Sequence, residues 1–173
     1  NVVIGSDGSE REVDVIILGT GFHVTDVPIA EQVTGAAGKT LAQQWQGSPE
    51  AYKGTTISGF PNFFLVLGPN LGIGHNSAFI VIESQIQYIM DTLQNMQRNN
   101  IVRIDVKPEV QQRYNATIQQ ELQSTVWNTG GCTSYYLDTN GRNSVGFPWH
   151  TLKMRSLLSR WDRNAYTIHR NGN

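Results

Sequence analysis

Apolar residues fall into two kinds of pattern along the chain. Val13-Asp14-Val15-Ile16-Ile17-Leu18 and Phe63-Phe64-Leu65-Val66-Leu67 are nearly continuous runs. Runs that do not alternate with polar residues predict strands covered on both faces, as in a layered α/β fold. By contrast, Phe79, Ile82, Ile86, Ile89, Met90 and Leu93 recur at helical spacing, which predicts a long helix. Asn76 or Ser77 supplies the N-cap, and the pattern lasts to about 98.

Punctuation and weaker periodicity complete the map. Val2-Val3-Ile4 is β-prone, and Gly5-Ser6-Asp7-Gly8-Ser9 is turn chemistry. Together they predict a hairpin whose second arm continues as the buried strand at 13–18. Residues 23–58 read as irregular with a short helix over 40–45. Ile101 to Val106 alternates as a strand does, and Pro108 stands where a first helical turn begins. A second long helix is predicted over 109–126. Residues 127–150 are rich in Gly, Asn, Ser and aromatics and read as a long loop, a form that is often functional. A short basic helix is predicted over 151–161, then a tail or edge strand.

Composition narrows the classes. The 173 residues fit one domain or one and a half, with 39% hydrophobic and 16% charged residues. A net charge of −1 gives no electrostatic case for nucleic acid or an anionic membrane. No apolar run approaches the roughly 20 residues of a membrane helix. The lone cysteine, Cys132, cannot form an intramolecular disulfide and fits a reducing, cytoplasmic setting. The chain opens on a strand-like run without Met, as a piece of something longer would.

Three segments carry candidate chemistry. Val15-Ile16-Ile17-Leu18-Gly19-Thr20-Gly21-Phe22 runs a strand into a Gly-Thr-Gly turn, where small residues let a ligand approach the backbone. The same turn also suits a simple reversal after a core strand. It is not a Gly-x-Gly-x-x-Gly fingerprint. Phe60-Pro61-Asn62 through Gly68-Pro69-Asn70 to Gly74-His75-Asn76-Ser77 is strand, Gly-rich loop and helix start. A helix start presents free N–H groups and partial positive charge to an anionic or electron-rich edge. An ordinary capped βα loop is the competing reading. Gly130-Gly131-Cys132-Thr133-Ser134-Tyr135-Tyr136 with Gly141-Arg142-Asn143 either lines a pocket or forms a self-pinned aromatic cluster. No His or acid near Cys132 is arranged to activate it, and the four histidines lack metal-site spacing.

In this order the segments resemble one family. Asp14 to Phe22 is similar to the "D-x-x-x-x-A-T-G-F" segment of class B flavoprotein monooxygenases, the Baeyer–Villiger and flavin-containing monooxygenase group, with Gly19 in place of Ala. The Phe60–Asn70 stretch, Gly74-His75-Asn76-Ser77 and Ile82-Glu83-Ser84-Gln85 resemble that group's "FPNLF…GPN…GHNS…IESQ". Cys132 to Tyr136, Asp138 and Gly141-Arg142-Asn143 resemble a late segment of Baeyer–Villiger-like members.

The resemblance implies an α/β fold, the C-terminal part of a flavoprotein with two dinucleotide-binding, Rossmann-like domains for FAD and NADPH. It implies that residues 1–126 complete the FAD-binding domain and that 127–173 form a substrate-side aromatic loop and extension. It places Thr20, Gly21 and Phe22 near the flavin or the domain junction, and Asn76, Ser77, Ala78 and Phe79 facing the flavin ring. The activity implied is insertion of one oxygen atom from O2 into a ketone through a C4a-peroxyflavin. Oxygenation of an amine or sulfide, N-hydroxylation, or a non-catalytic isolated domain are the alternatives. The glycine fingerprints, the "F-x-G-x-x-x-H" signature and the catalytic arginine lie upstream in such proteins. No catalytic residue is therefore assigned, and the chain by itself is expected to be inactive. Its expected partners are the upstream FAD- and NADPH-binding part of the same polypeptide and a small organic substrate. A bare apolar face that self-associates is expected if the piece folds alone.

Overall fold

The computed structural model describes residues 1–21, 24–72, 74–131 and 134–170. β1 (Val2–Ile4) and β2 (Glu10–Glu12) form an antiparallel hairpin, with Val3 opposite Arg11. A 3-10 turn over Pro28–Glu31 precedes α1 (Leu41–Trp45). Thr40 starts α1 with a full capping box: its hydroxyl accepts from the Gln43 N–H, and the Gln43 side chain accepts from the Thr40 N–H. α2 (Ala78–Arg98) begins at Ser77, whose hydroxyl accepts from the Phe79 N–H. β3 (Ile101–Val106) leads to α3 (Pro108–Leu122), with Pro108 in the first turn as expected. α4 (Val126–Thr129) is a single turn, and α5 (Thr151–Leu157) precedes β4 (Tyr166–Arg170). β4 returns antiparallel to β3, with Val106 opposite Tyr166, so the tail is a paired strand.

Three apolar clusters hold these elements. One surrounds β3 and β4 with Tyr52, Met96, Ile104 and Tyr166. A second gathers Leu41, Trp45, Ile57 and Phe60. The third joins α2 to α5 through Val81, Tyr88, Met154 and Leu158. No helix among the described residues is long and apolar enough to cross a membrane.

Three expectations are corrected. The second arm of the hairpin is Glu10–Glu12, and the run after it is not a buried strand. Val15, Ile16, Ile17 and Leu18 are 63 to 90% exposed. Among the described residues, no backbone hydrogen bond or strand pairing involves them. A run without alternation needs a partner strand and cover on two faces, and the described chain supplies neither.

The run at 63–67 is likewise not a strand: Phe63 to Leu65 are half-buried, and Val66 and Leu67 are exposed. The second long helix stops at Leu122, four residues short of the expected 126. Most instructive is α2, which buries Val81, Ser84, Gln85, Tyr88, Thr92 and Met96. Four residues of its apolar stripe, Phe79, Ile86, Met90 and Leu93, are exposed.

Candidate functional site: a cleft at the start of the long helix

Side-chain amides replace a sheet around the irregular segment 52–72. Asn62 adopts a left-handed conformation (φ 59°) and clamps β3. Its backbone N–H donates to the Ile104 carbonyl, its Nδ2 donates to the Val102 carbonyl at 2.9 Å, and its Oδ1 accepts from the Ile104 N–H at 2.9 Å. Gln85, fully buried on α2, holds the next stretch. Its Oε1 accepts from the Leu67 N–H at 2.7 Å, and its Nε2 donates to the carbonyls of Gly54 and Leu65 and to the Thr55 hydroxyl oxygen. These bonds satisfy backbone groups that a sheet would otherwise pair. They hold 63–67 in place without a strand partner, Leu67 turning into the left-handed region (φ 53°).

Asn70 makes the third clamp. Buried and left-handed (φ 56°), it donates from Nδ2 to the carbonyls of Asn143 at 2.8 Å and Gly146 at 3.0 Å. Asn143 is itself a hub. Its Oδ1 accepts from the N–H groups of Val145 and Gly146, its Nδ2 donates to Asn128, and its carbonyl accepts from Gln119. Gly72 and Gly146 form a parallel bridge beside it. The segments Gly68-Pro69-Asn70 and Gly141-Arg142-Asn143, far apart in sequence, are thus one structural unit.

Close backbone contact sets the wall's position. A Cβ on Gly68 would lie 2.2 Å from the Gly54 carbonyl oxygen, and one on Gly54 (φ +59°) would lie 2.5 Å from the Leu71 side chain. Only glycine allows either approach.

These clamps shape a cleft of about 640 Å³. Its walls come from Val24, Thr25, Val27 and Ile29, from 65–69, and from Leu71, Gly72 and Gly74; Asn76, Ala78 and Val81 also line it. Tyr135, Tyr136, Ser144 and Val145 close another side. Tyr136 lies 4.7 Å from the Trp127 ring and 4.6 Å from the Tyr135 ring, centroid to centroid. The late aromatic segment therefore does both things left open above: it clusters with itself and lines the pocket. The volume falls in the range of small-molecule sites, roughly 300–1,000 Å³.

Of the residues singled out from sequence, Asn76 and Ala78 line the cleft. Asn76 donates from Nδ2 to the Thr151 hydroxyl at 2.7 Å and accepts the Ser77 N–H on Oδ1, so it ties the start of α2 to the start of α5. Ser77 caps α2, and Phe79 is exposed. Thr20 and Gly21 are exposed on the unpaired segment and do not line the cleft. Gly21 has φ +87°, as a Gly-Thr-Gly turn requires. Phe22 and Cys132 lie outside the described residues.

Sequence reasoning missed a buried ionic cluster behind the wall. Lys53, only 7% exposed, has its Nζ 3.2 Å from Asp162 Oδ1 and 4.9 Å from the centre of the Tyr88 ring. The Tyr52 hydroxyl donates to Asp162 Oδ2, and the Tyr88 hydroxyl donates to Oδ1 at 2.7 Å. With the Tyr88 proton on Asp162, Tyr166 donates to Tyr88 at 2.7 Å and Thr56 donates to Tyr166 at 3.0 Å. Burial pushes the Lys53 ammonium pKa down, against the pull of Asp162. Burial also pushes the Tyr52, Tyr88 and Tyr166 hydroxyls well above the ordinary value of 10. The only sequence signal was a lysine inside the apolar stretch Ala51-Tyr52-Lys53, and Asp162 lies 110 residues from Tyr52.

No protein-family model matches the chain. Individual relatives do. It is 45% identical over 169 residues to a Baeyer–Villiger monooxygenase of Streptomyces coelicolor, covering 97% of this chain and 33% of that protein. It is 46% identical over 169 residues to a Baeyer–Villiger monooxygenase of Pseudomonas aeruginosa, covering 97% of this chain and 32% of that protein. The crystal structure of cyclohexanone monooxygenase from Rhodococcus sp. Phi1 bound to NADP+ superposes with a TM-score of 0.74 at 26% identity, over 94% of this chain and 31% of that one. Over nearly its whole length the chain is thus similar to one part of Baeyer–Villiger monooxygenases, which are class B flavoprotein monooxygenases. It spans about a third of the length of the relatives it matches. The α/β expectation agrees with this neighbour, whose remaining two thirds have no counterpart here.

Proposed function

We propose that the chain is the C-terminal part of an FAD- and NADPH-dependent Baeyer–Villiger monooxygenase, which inserts one oxygen atom from O2 into a ketone. The observation that carries this reading is the cleft at the start of α2. There the Gly-Pro-Asn wall, the helix start and the late aromatic segment meet, in a chain 45% identical to a Baeyer–Villiger monooxygenase. In this reading residues 1–126 complete the FAD-binding domain and 127–173 form the substrate side.

The residues fit the ring end of a flavin. Gly68, Gly72 and Gly74 line the cleft without side chains, so a flat ring can approach the backbone. The first turn of α2 adds partial positive charge for an electron-rich edge. Bound FAD would supply oxygen activation, with NADPH as the reductant. The chain's own part is placement. Asn76 and Ser77 fix the helix start, with Ala78 and Phe79 beside the ring. In this reading Thr20 and Gly21 lie towards the flavin or the domain junction. Val24, Val27, Leu65 and Leu71 exclude water from the reacting centre. The pyrophosphate cradle belongs to upstream residues, so the chain mixed with FAD is expected to stay colourless.

The test is the full-length polypeptide with FAD, NADPH, 18O2 and a panel of cyclic ketones, amines and sulfides. A lactone carrying one labelled oxygen is expected. Labelled sulfoxide or hydroxylamine as the sole product moves the reading to heteroatom oxygenation. No NADPH oxidation with any substrate overturns it.

A further inference from the structure

We infer that the Lys53–Asp162 pair is a positioning device: it fastens a strap, residues 143–162, that holds the start of α2 in place at the cleft. One end of the strap is tied to the cleft wall. The Asn70 N–H donates to the Ser144 carbonyl at 2.9 Å, the Gly72 N–H to the Val145 carbonyl at 2.8 Å, and the Phe147 N–H to the Gly72 carbonyl at 2.9 Å. The middle is tied to the start of α2, where the Thr151 hydroxyl accepts from Asn76 at 2.7 Å. The other end is tied by the Trp161 N–H, which donates to Asp91 at 2.8 Å, and by Asp162, which meets Lys53 at 3.2 Å. Gly54, next to Lys53, packs closely on Gly68, which lines the cleft. Between these ties Met154 and Leu158 pack on Val81 and Tyr88.

Two observations give the pair a role in register. Burying an ion pair brings little net stability, and apolar residues of similar volume commonly serve as well. What the pair adds is geometry. The Asp162 carboxylate accepts from Lys53 and Tyr52 on the 52–56 turn and from Tyr88 on α2, so a shift of the strap breaks all three contacts together. Secondly, Lys53 has φ 52°, a left-handed conformation that is unfavourable for a residue with a Cβ. Glycine would sit there without strain. The chain instead keeps a lysine, 7% exposed, with its ammonium 4.9 Å from the Tyr88 ring centre and 5.4 Å from that of Tyr52. The strained turn aims that ammonium at Asp162. Asp162 touches neither flavin nor ketone; it acts through Thr151 and Asn76.

The inference rests on the proposed function only for what the cleft holds. Its test is amide hydrogen exchange in the full-length polypeptide carrying Lys53→Met with Asp162→Leu, which removes both charges together, or Thr151→Val, or all three changes. Amides 80–84 of α2 are expected to exchange at least about tenfold faster in each variant, while amides 112–118 of α3 keep their rates. The triple variant is expected to stay within about twofold of the faster of the other two, because both changes cut one route. Thr151→Ser, which keeps the hydroxyl, is expected to exchange as the unaltered protein does. Faster exchange confined to 52–56 and 161–166 overturns the inference. Effects that multiply in the triple variant overturn it too, since Gln85 on Gly54 then carries a separate route. A charge-free pair that fails to fold also overturns it, because the pair is then an element of stability. On the same samples, NADPH oxidation with a cyclic ketone is expected to release at least about threefold more hydrogen peroxide per lactone formed. An unchanged ratio overturns the positioning role. The expected exchange pattern in a polypeptide that makes no lactone, even unaltered, leaves the strap standing and defeats the monooxygenase reading.

Discussion

The two faces of α2 are built on opposite rules. The inward face is half polar: Ser84, Gln85 and Thr92 are buried there with Val81, Tyr88 and Met96. The outward face carries Phe79, Ile86, Met90 and Leu93 in the open. Ordinarily the apolar stripe of a helix is its core face. Here the inward neighbours include, beside β3 and α5, the irregular segment 52–72 whose backbone groups need partners, and Gln85 supplies three of its four hydrogen bonds to backbone atoms of residues 54, 65 and 67. Ser84 and Thr92 satisfy themselves by donating to the carbonyls four residues back, at 2.7 Å each. Polarity on this buried face thus marks where the helix replaces a missing sheet.

The buried tyrosines, Tyr88 of the inward face among them, should fail first in alkali, and this is the largest effect expected. Burial raises Tyr52, Tyr88, Tyr114 and Tyr166 above their ordinary value of 10. The folded chain keeps these protons where the unfolded chain has lost them. Their contribution is therefore complete below pH 10 and is lost as pH rises further, at up to about 1.4 kcal/mol per pH unit for each tyrosine. Lys53 acts in the opposite sense. Its lowered pKa makes stability rise with pH until the unfolded lysine titrates near 10.4. Four tyrosines outweigh one lysine, so urea midpoints should fall by several kcal/mol equivalent between pH 9 and 11. A flat profile would show that these hydroxyls are not buried as described.

Asp162→Asn comes next. It removes the charge facing buried Lys53 and should cost about 3 kcal/mol in urea unfolding, the low end for a broken pair because Asp162 is partly exposed. Gln85→Leu keeps the bulk and strands the Gly54 and Leu65 carbonyls and the Leu67 N–H, at a cost of about 2 kcal/mol. The same assay reads it, and an unchanged midpoint would mean that 63–67 finds other partners. Smallest is Ile86→Glu on the outward face. In this chain alone it should change stability by no more than about 0.5 kcal/mol. A loss as large as that of Gln85→Leu would erase the contrast between the faces.

Local chemistry made much of the fold legible. Thr40 with Gln43, Ser77, and Pro108 each satisfy or remove specific N–H groups, so they announce helix starts without tertiary help. The alternation of Ile101 to Val106 also sufficed, because one partner strand and one amide clamp serve it. The continuous runs misled because hydrophobicity reports that a surface is to be covered, without saying by which part of a polypeptide. Val15 to Leu18 lacks that cover among the described residues. The site was half legible. The Gly-rich helix start could be read locally, but the Asn70–Asn143 clamp and the Lys53–Asp162 pair join distant segments that no spacing connects.

The site's central claim is that the start of α2 faces the flavin across the cleft. Ala78 lines that cleft at the first helical position. The most direct measurement is the FAD content of the purified full-length polypeptide carrying Ala78→Phe, beside the unaltered protein. A folded variant with the same thermal midpoint in the flavin-free state, holding at least tenfold less FAD, is predicted. A full complement of FAD in that variant would contradict the account.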